Sequence, residues 1–131
     1  IRSKASVETD FSNASSIFGA KSYMVNIFYN LILNAIHYAK EHVPPVIKVS
    51  TQKNQEDIAI QFSDNGIGME LTPERERKIF DMYGRLSGVT EGKGFGLYLV
   101  KTQVEAMEGK ISVKSEKDVG TTFTISFPLS S

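Results

Sequence analysis

Apolar and polar residues alternate with a period of two in two pairs of stretches, and recur with a helical period in three others. VIKVST at 46–51 and IAIQF at 58–62 read as half-buried strands, joined through the polar run Gln52 to Glu56 as a hairpin. Residues 111–114 and 122–127 read as a second hairpin turning at Asp118-Val119-Gly120, with Pro128 as the stop. Residues 5–9 and Ile17 to Gly19 suggest short strands on either side of a polar turn at Ser12 to Ser16. A long helix is expected from about 21 to 40, capped by Ser22 and stopped by His42-Val43-Pro44-Pro45. A second should start at Thr72-Pro73-Glu74 and run through Arg75 to Phe80. A third, Phe95 to Met107, turns Leu97, Val100, Val104 and Met107 inward and ends at Gly109 as its C-cap. When hairpins dominate, helices cannot cover both faces of a sheet. The expected fold is therefore α+β: a two-layer sandwich with a mixed, mostly antiparallel sheet and helices on one face.

The first helix carries an unusual load. Asn26, Asn30 and Asn34 recur every four residues, although an asparagine amide competes with helical backbone bonds. With Asn26 at zero and about 100° per residue, Asn30 lies near 40°, Asn34 near 80° and His37 near 20°. Met24, Phe28, Leu31, Ala35 and Ala39 fall at about 140–220°, on the opposite face. One face should pack into a core while the other presents neutral oxygen and nitrogen ligands, or is simply solvated. A carboxamide oxygen suits a hard cation such as magnesium without adding charge, provided that a phosphate brings the negative charge.

Seven of the ten glycines stand between positions 66 and 96, which suggests a closing lid or a loose loop. Gly92-Lys93-Gly94-Phe95-Gly96 opens the third helix, where backbone N–H groups can meet a phosphate. It satisfies neither standard fingerprint. From Gly88 the chain reads GVTEGKG, one residue too short for a P-loop, and GKGFG lacks the spacing and the preceding strand of a dinucleotide site. Asp64, at the end of a strand and beside Gly66 and Gly68, can accept a hydrogen bond from an exocyclic amino group, or can hold its own loop as an Asx turn.

Composition narrows the classes. Lys plus Arg and Asp plus Glu stand at 15 each among 131 residues, so bulk attraction to nucleic acid or anionic membrane is not expected. Cysteine is absent, which excludes disulfides and thiolate metal sites. No apolar run approaches the ~20 residues of a membrane span, and IRSKASVETD is not a signal peptide. His37 and His42 have neither a partnered acid and nucleophile nor zinc-like spacing. The chain starts without Met, and is expected to be one domain, residues 1–131, of a longer protein.

Taken together, the stretches resemble the ATP-binding catalytic domain of sensor histidine kinases, of the Bergerat (GHKL) type, from about Gly19 to Pro128. NLILNAIHYA at 30–39 looks like the asparagine box, DNGIGM at 64–69 the first glycine box, and KIFDMYGR at 78–85 the phenylalanine box. GKGFGLYLVK at 92–101 looks like the second glycine box and GTTFTISFP at 120–128 the final strand motif. The resemblance implies a Mg-ATP site. Asn34 would ligate magnesium, Asn30 and His37 would lie near the phosphates, and Tyr38 would cover the nucleotide. Asp64 would hold the adenine amino group, with Gly66 and Gly68 giving access, Thr122 close by, and Met69 among the nucleotide-binding residues. Residues 82–94 would form the lid; Gly92, Lys93, Gly94, Phe95, Gly96 and Leu97 would wrap the phosphates, and Arg85 would approach the γ-phosphate.

The implied partners are a phosphoacceptor helical hairpin elsewhere in the parent chain and a response-regulator receiver domain. The implied compartment is the cytoplasm, whether or not the parent is membrane-anchored. Four positions depart from the pattern: Asn26 where Glu or Gln is frequent, His37 where Lys is frequent, Lys93 where a small hydroxyl residue is usual, and Ala20 where Asp is frequent. Asn26 cannot act as a general base, which keeps a non-catalytic nucleotide-binding or docking module as the main alternative. A serine kinase of the same superfamily is a further one.

Overall fold

The computed structural model describes residues 6–10, 21–80 and 95–129. Five strands, β1 (Ser6–Asp10), β2 (Val46–Lys53), β3 (Asp57–Asp64), β4 (Lys110–Glu116) and β5 (Gly120–Pro128), form one sheet in the order β1-β2-β3-β5-β4. β1 runs parallel to β2, and every other pairing is antiparallel. The parallel pair is separated in the chain by α1 (Lys21–His37), because parallel neighbours require a crossover. Helices α2 (Pro73–Ile79) and α3 (Phe95–Ala106) fall between β3 and β4. The expected α+β sandwich with a mixed, mostly antiparallel sheet is what forms.

Alternation along the strands builds the core. Ile47 and Val49 of β2, Ile58, Ile60 and Phe62 of β3, and Phe123, Ile125 and Phe127 of β5 are all buried. Their neighbours Lys48, Ser50 and Gln61 are exposed. The register places Phe62 opposite both Val49 and Phe123, so one apolar side continues across the central strands. Met24, Ile27, Leu31 and Ala35 of α1, and Val100 and Val104 of α3, close over it. Phe28 meets Phe62 edge-on at 4.9 Å, and Phe80 meets Phe123 at 6.2 Å. Each fully buried side chain of this kind contributes about 1.5–3 kcal/mol.

Several boundaries differ from expectation. Strands β2 to β5 run two or three residues longer than their alternating segments, because ladder pairing continues past them. α1 ends at His37, ahead of the proline pair. The Asn34 and Ile36 carbonyls in its last turn accept from the Tyr38 and Ala39 amides, and just past the helix the Tyr38 carbonyl accepts from the Ile67 amide at 3.0 Å. Ser22 lies inside the first turn and is not the cap. The inward face of α1 is turned toward fully buried Ile27, leaving Phe28 partly covered, and Ala39 lies beyond the helix. At the end of α3 the left-handed position is taken by Glu108 (φ 65°) rather than Gly109. Gly109 is needed for another reason, since a Cβ there would stand 2.6 Å from the Phe127 ring and from the Ser126 carbonyl. α2 starts as expected, with the Thr72 hydroxyl accepting from the Arg75 amide at 3.1 Å and Pro73 at the first position. The strand suggested at Ile17 to Gly19 lies outside the described residues.

Candidate functional site

β3 delivers Asp64 to the end of the sheet. Two residues after core-facing Phe62, its side chain falls on the helix-covered side, as does Thr121, two residues before core-facing Phe123. Asp64 Oδ1 accepts from the Gly66 amide at 2.8 Å and the Thr121 amide at 3.3 Å. Among the described residues nothing donates to Oδ2, which leaves an acceptor free for a ligand. The Asx turn posed above forms through Oδ1, so it does not exclude a ligand acceptor at Oδ2. Burial pushes the Asp64 carboxyl above the ordinary carboxylate range, while the two backbone hydrogen bonds pull it down.

Thr122, expected beside Asp64, is on the other face of the sheet, where its hydroxyl meets that of Ser63 at 3.0 Å. Its neighbour Thr121, only 8% exposed, occupies the place assigned to it. Strand parity carried the signal, because Asp64 and Thr121 each stand two residues from a core phenylalanine. Ser115 was also not singled out. Its Oγ accepts from the Met69 amide at 2.9 Å, lies 2.7 Å from Thr121 Oγ1 and donates to the Gly120 carbonyl at 3.2 Å.

The glycines of DNGIGM stand where backbone packs too closely for a side chain. A Cβ on Gly66 would stand 2.6 Å from the Tyr38 carbonyl, and one on Gly68 (φ 64°) would run into the Glu116 carbonyl. Gly120 (φ 145°) has no room for a Cβ against the Asp64 carbonyl. Asp118 donates its amide to the Ile67 carbonyl at 2.7 Å. The Asn65 carboxamide takes the Val46 amide at 2.9 Å and donates to Pro44 at 3.3 Å. The loop bearing Asp64 is thereby fastened to the end of α1, the start of β2 and the β4–β5 turn.

The asparagine face of α1 is directed at α3. Asn26 Nδ2 donates to Gln103 Oε1 at 2.7 Å, and Asn30 Nδ2 donates to the Asn26 carbonyl at 2.9 Å. With its amino group used in this way, Asn30 presents Oδ1 to the start of α3, where a Cβ on Gly96 would lie 3.3 Å from it. Asn34 is half-buried, and its side chain makes no hydrogen bond among the described residues. His37 is exposed, and its ring meets that of half-buried Tyr38 edge-on at 4.8 Å. Leu97 packs against the core and Met69 is half-buried. Phe95 is the first residue of α3. Arg85, Gly92, Lys93 and Gly94 lie outside the described residues.

The structure therefore joins Tyr38 to Gly66 near Asp64, and Asn30 to Gly96 at the start of α3. The eight helical steps from Asn30 to Tyr38 span about 12 Å, a length on the scale of a nucleotide. No group of three or more His, Asp or Glu side chains able to hold a metal occurs among the described residues. A cation here would depend on the Asn34 carboxamide together with anionic oxygens of a ligand. No described helix is long and apolar enough to cross a membrane.

The α+β sandwich thus carries an acceptor carboxylate at the end of β3 and an asparagine-bearing helix facing the start of α3. Residues 19–131 match the family of histidine kinase-, DNA gyrase B- and HSP90-like ATPases, and the chain belongs to that family. It is 36% identical over 117 residues to the sensor protein RprX of Bacteroides fragilis, covering 86% of this chain and 22% of that protein. It is 33% identical over 124 residues to the histidine protein kinase SaeS of Staphylococcus aureus, covering 91% of this chain and 35% of that protein. The chain thus spans roughly a quarter to a third of the relatives it matches. Among solved structures, the mycobacterial sensor histidine kinase MprB superposes with a TM-score of 0.74 at 20% identity, over 95% of this chain and 82% of that one. Full-length ShkA in complex with AMPPNP gives 0.77 at 21% identity, over 95% of this chain and 25% of that one. These likenesses carry the fold.

Proposed function

We propose that this chain binds Mg-ATP and serves as the catalytic domain of a protein-histidine kinase, passing the γ-phosphoryl group to a histidine on a helical hairpin outside the chain. The observation that carries the reading is Asp64. One of its oxygens is held by the Gly66 and Thr121 amides while the other has no donor among the described residues, in a half-buried setting. An acceptor-only pair of atoms suits the exocyclic amino group of adenine and rejects the carbonyl of guanine. Asn34, whose carboxamide makes no hydrogen bond among the described residues, would hold magnesium, which neutralises phosphate charge when bound. Asn30 and Gly96 define the phosphate end. Phosphoryl transfer asks chiefly for positioning and charge stabilisation, so a site lacking an acid–nucleophile pair is adequate. In the transfer, the bond from the γ-phosphorus to the β–γ bridging oxygen breaks, a bond to an acceptor imidazole nitrogen forms, and ADP leaves. Arg85, Gly92, Lys93 and Gly94 would complete the phosphate end from the segment before α3. The domain would work in the cytoplasm, with a receiver domain as the final phosphate acceptor.

A nucleotide-binding module without turnover is favoured by one observation: Asn26 has no basic group, and its amide is committed to Gln103. The two readings part on product. With ATP, magnesium and the parent chain's hairpin supplied, the kinase reading expects acid-labile, base-stable phosphate on the hairpin histidine. Bound ATP with no phosphohistidine would leave the module reading in its place.

A further inference from the structure

The hydroxyl cluster behind Asp64 has a direction. Ser115 Oγ has one hydrogen and two lone pairs, and three neighbours: the Met69 amide at 2.9 Å, the Gly120 carbonyl at 3.2 Å and Thr121 Oγ1 at 2.7 Å. The amide can only donate, so it takes one lone pair. The carbonyl can only accept, so it takes the hydrogen. The remaining lone pair must then receive the hydrogen of Thr121. This is the only arrangement that uses all three contacts. It leaves Thr121 Oγ1 with lone pairs alone, on a residue whose amide touches Asp64 Oδ1 at 3.3 Å.

We infer that Ser115 is a specificity-determining positioning residue: by fixing the Thr121 hydroxyl as an acceptor beside the Asp64 carboxylate, it makes this end of the site select a ligand amino group over a carbonyl. The inference rests on the nucleotide reading proposed above. Ser115 reaches the ligand only through Thr121 and through the loop it holds at Met69. The effect is separable from simple support of the fold. A structural role would weaken amino and carbonyl ligands alike. A directional role alters their ratio, because a Thr121 hydroxyl released from Ser115 can rotate and donate to a carbonyl.

The test is the ratio of Kd values for ADP and inosine diphosphate, whose bases differ by an amino group against a carbonyl and, at the adjacent ring nitrogen, by a lone pair against an N–H, in wild type, Ser115→Ala and Ser115→Thr. Ser115→Ala should narrow the preference for ADP about tenfold, roughly one hydrogen bond, and Ser115→Thr should restore it. An unchanged ratio in Ser115→Ala, with both nucleotides weakened equally, overturns the inference. Should Ser115→Ala not fold, Thr121→Val should narrow the same ratio with Ser115 intact, and an unaltered ratio there overturns it equally. A wild-type chain that binds neither nucleotide defeats the underlying reading, an outcome distinct from an unchanged ratio.

Discussion

Replacing Gly68 with alanine attacks the fastening of the site loop at its tightest point. The residue sits at φ 64°, and an added Cβ would enter the space of the Glu116 carbonyl, with the carbonyl carbon itself at 2.7 Å. Holding alanine in the left-handed region costs about 1–2 kcal/mol. The obstacle is backbone in β4, which cannot swing aside as a long side chain would, so the loop must withdraw. Withdrawal breaks the Met69-to-Ser115 and Asp118-to-Ile67 hydrogen bonds, at about 0.5–1.5 kcal/mol each. The sum is about 2–5 kcal/mol. Unfolding entropy of about 2.1 cal/mol/K per residue, over a chain of this length, converts each kcal/mol into about 4 °C. Thermal unfolding followed by circular dichroism should therefore show Gly68→Ala melting about 8–20 °C below wild type. A midpoint within about 2 °C of wild type, less than one hydrogen bond's worth, would refute the packing assigned to this loop.

Three further outcomes separate stability from binding. Burial raises the Asp64 carboxyl above its ordinary value of 3.8, so the folded chain holds this proton more tightly than the unfolded one. Its contribution to stability is present at low pH and is lost as pH rises through the folded pKa. Asp64→Asn should accordingly raise the melting midpoint at pH 7 while removing ADP binding, and a lowered midpoint would contradict the burial argument. Because binding needs the ionised form, ADP affinity should fall about tenfold per pH unit below that raised pKa, which titrations in acidic buffers can follow. Gly96→Ala should stabilise α3 by about 1 kcal/mol. Its Cβ, 3.3 Å from Asn30 Oδ1, should weaken ADP about tenfold more than adenosine. Equal loss for both ligands would remove Gly96 from the phosphate end.

The sheet was legible because β2, β3 and β5 alternate cleanly, with Ile58, Ile60 and Phe62 on one side and Gln61 on the other. What escaped was set by contacts distant in sequence. α1 stops where the Tyr38 carbonyl meets Ile67, and no local signal marks that position. Gly109 invited the role of helix cap, yet it is reserved for Phe127, whose approach depends on the pairing of β5 with β4. The Asn26 to Asn34 stripe was visible as a costly pattern, but its division of labour was not. Asn26 is spent on Gln103, 77 residues away, and Asn30 is turned toward Gly96. Thr121 could have been found, since counting in twos from Phe123 and from Phe62 puts it on the side of Asp64. Ser115 could not, because a serine near the end of an edge strand shows nothing until the loop from β3 is folded onto it.

The central claim is that Asp64 and the asparagine face of α1 form one adenine-nucleotide site. Calorimetric titration with ADP and with GDP, each with and without magnesium, on wild type and Asp64→Asn, tests it most directly. The account predicts binding that prefers ADP, strengthens with magnesium and disappears in a folded Asp64→Asn. Equal binding of the two nucleotides, or ADP binding that survives Asp64→Asn, would contradict it.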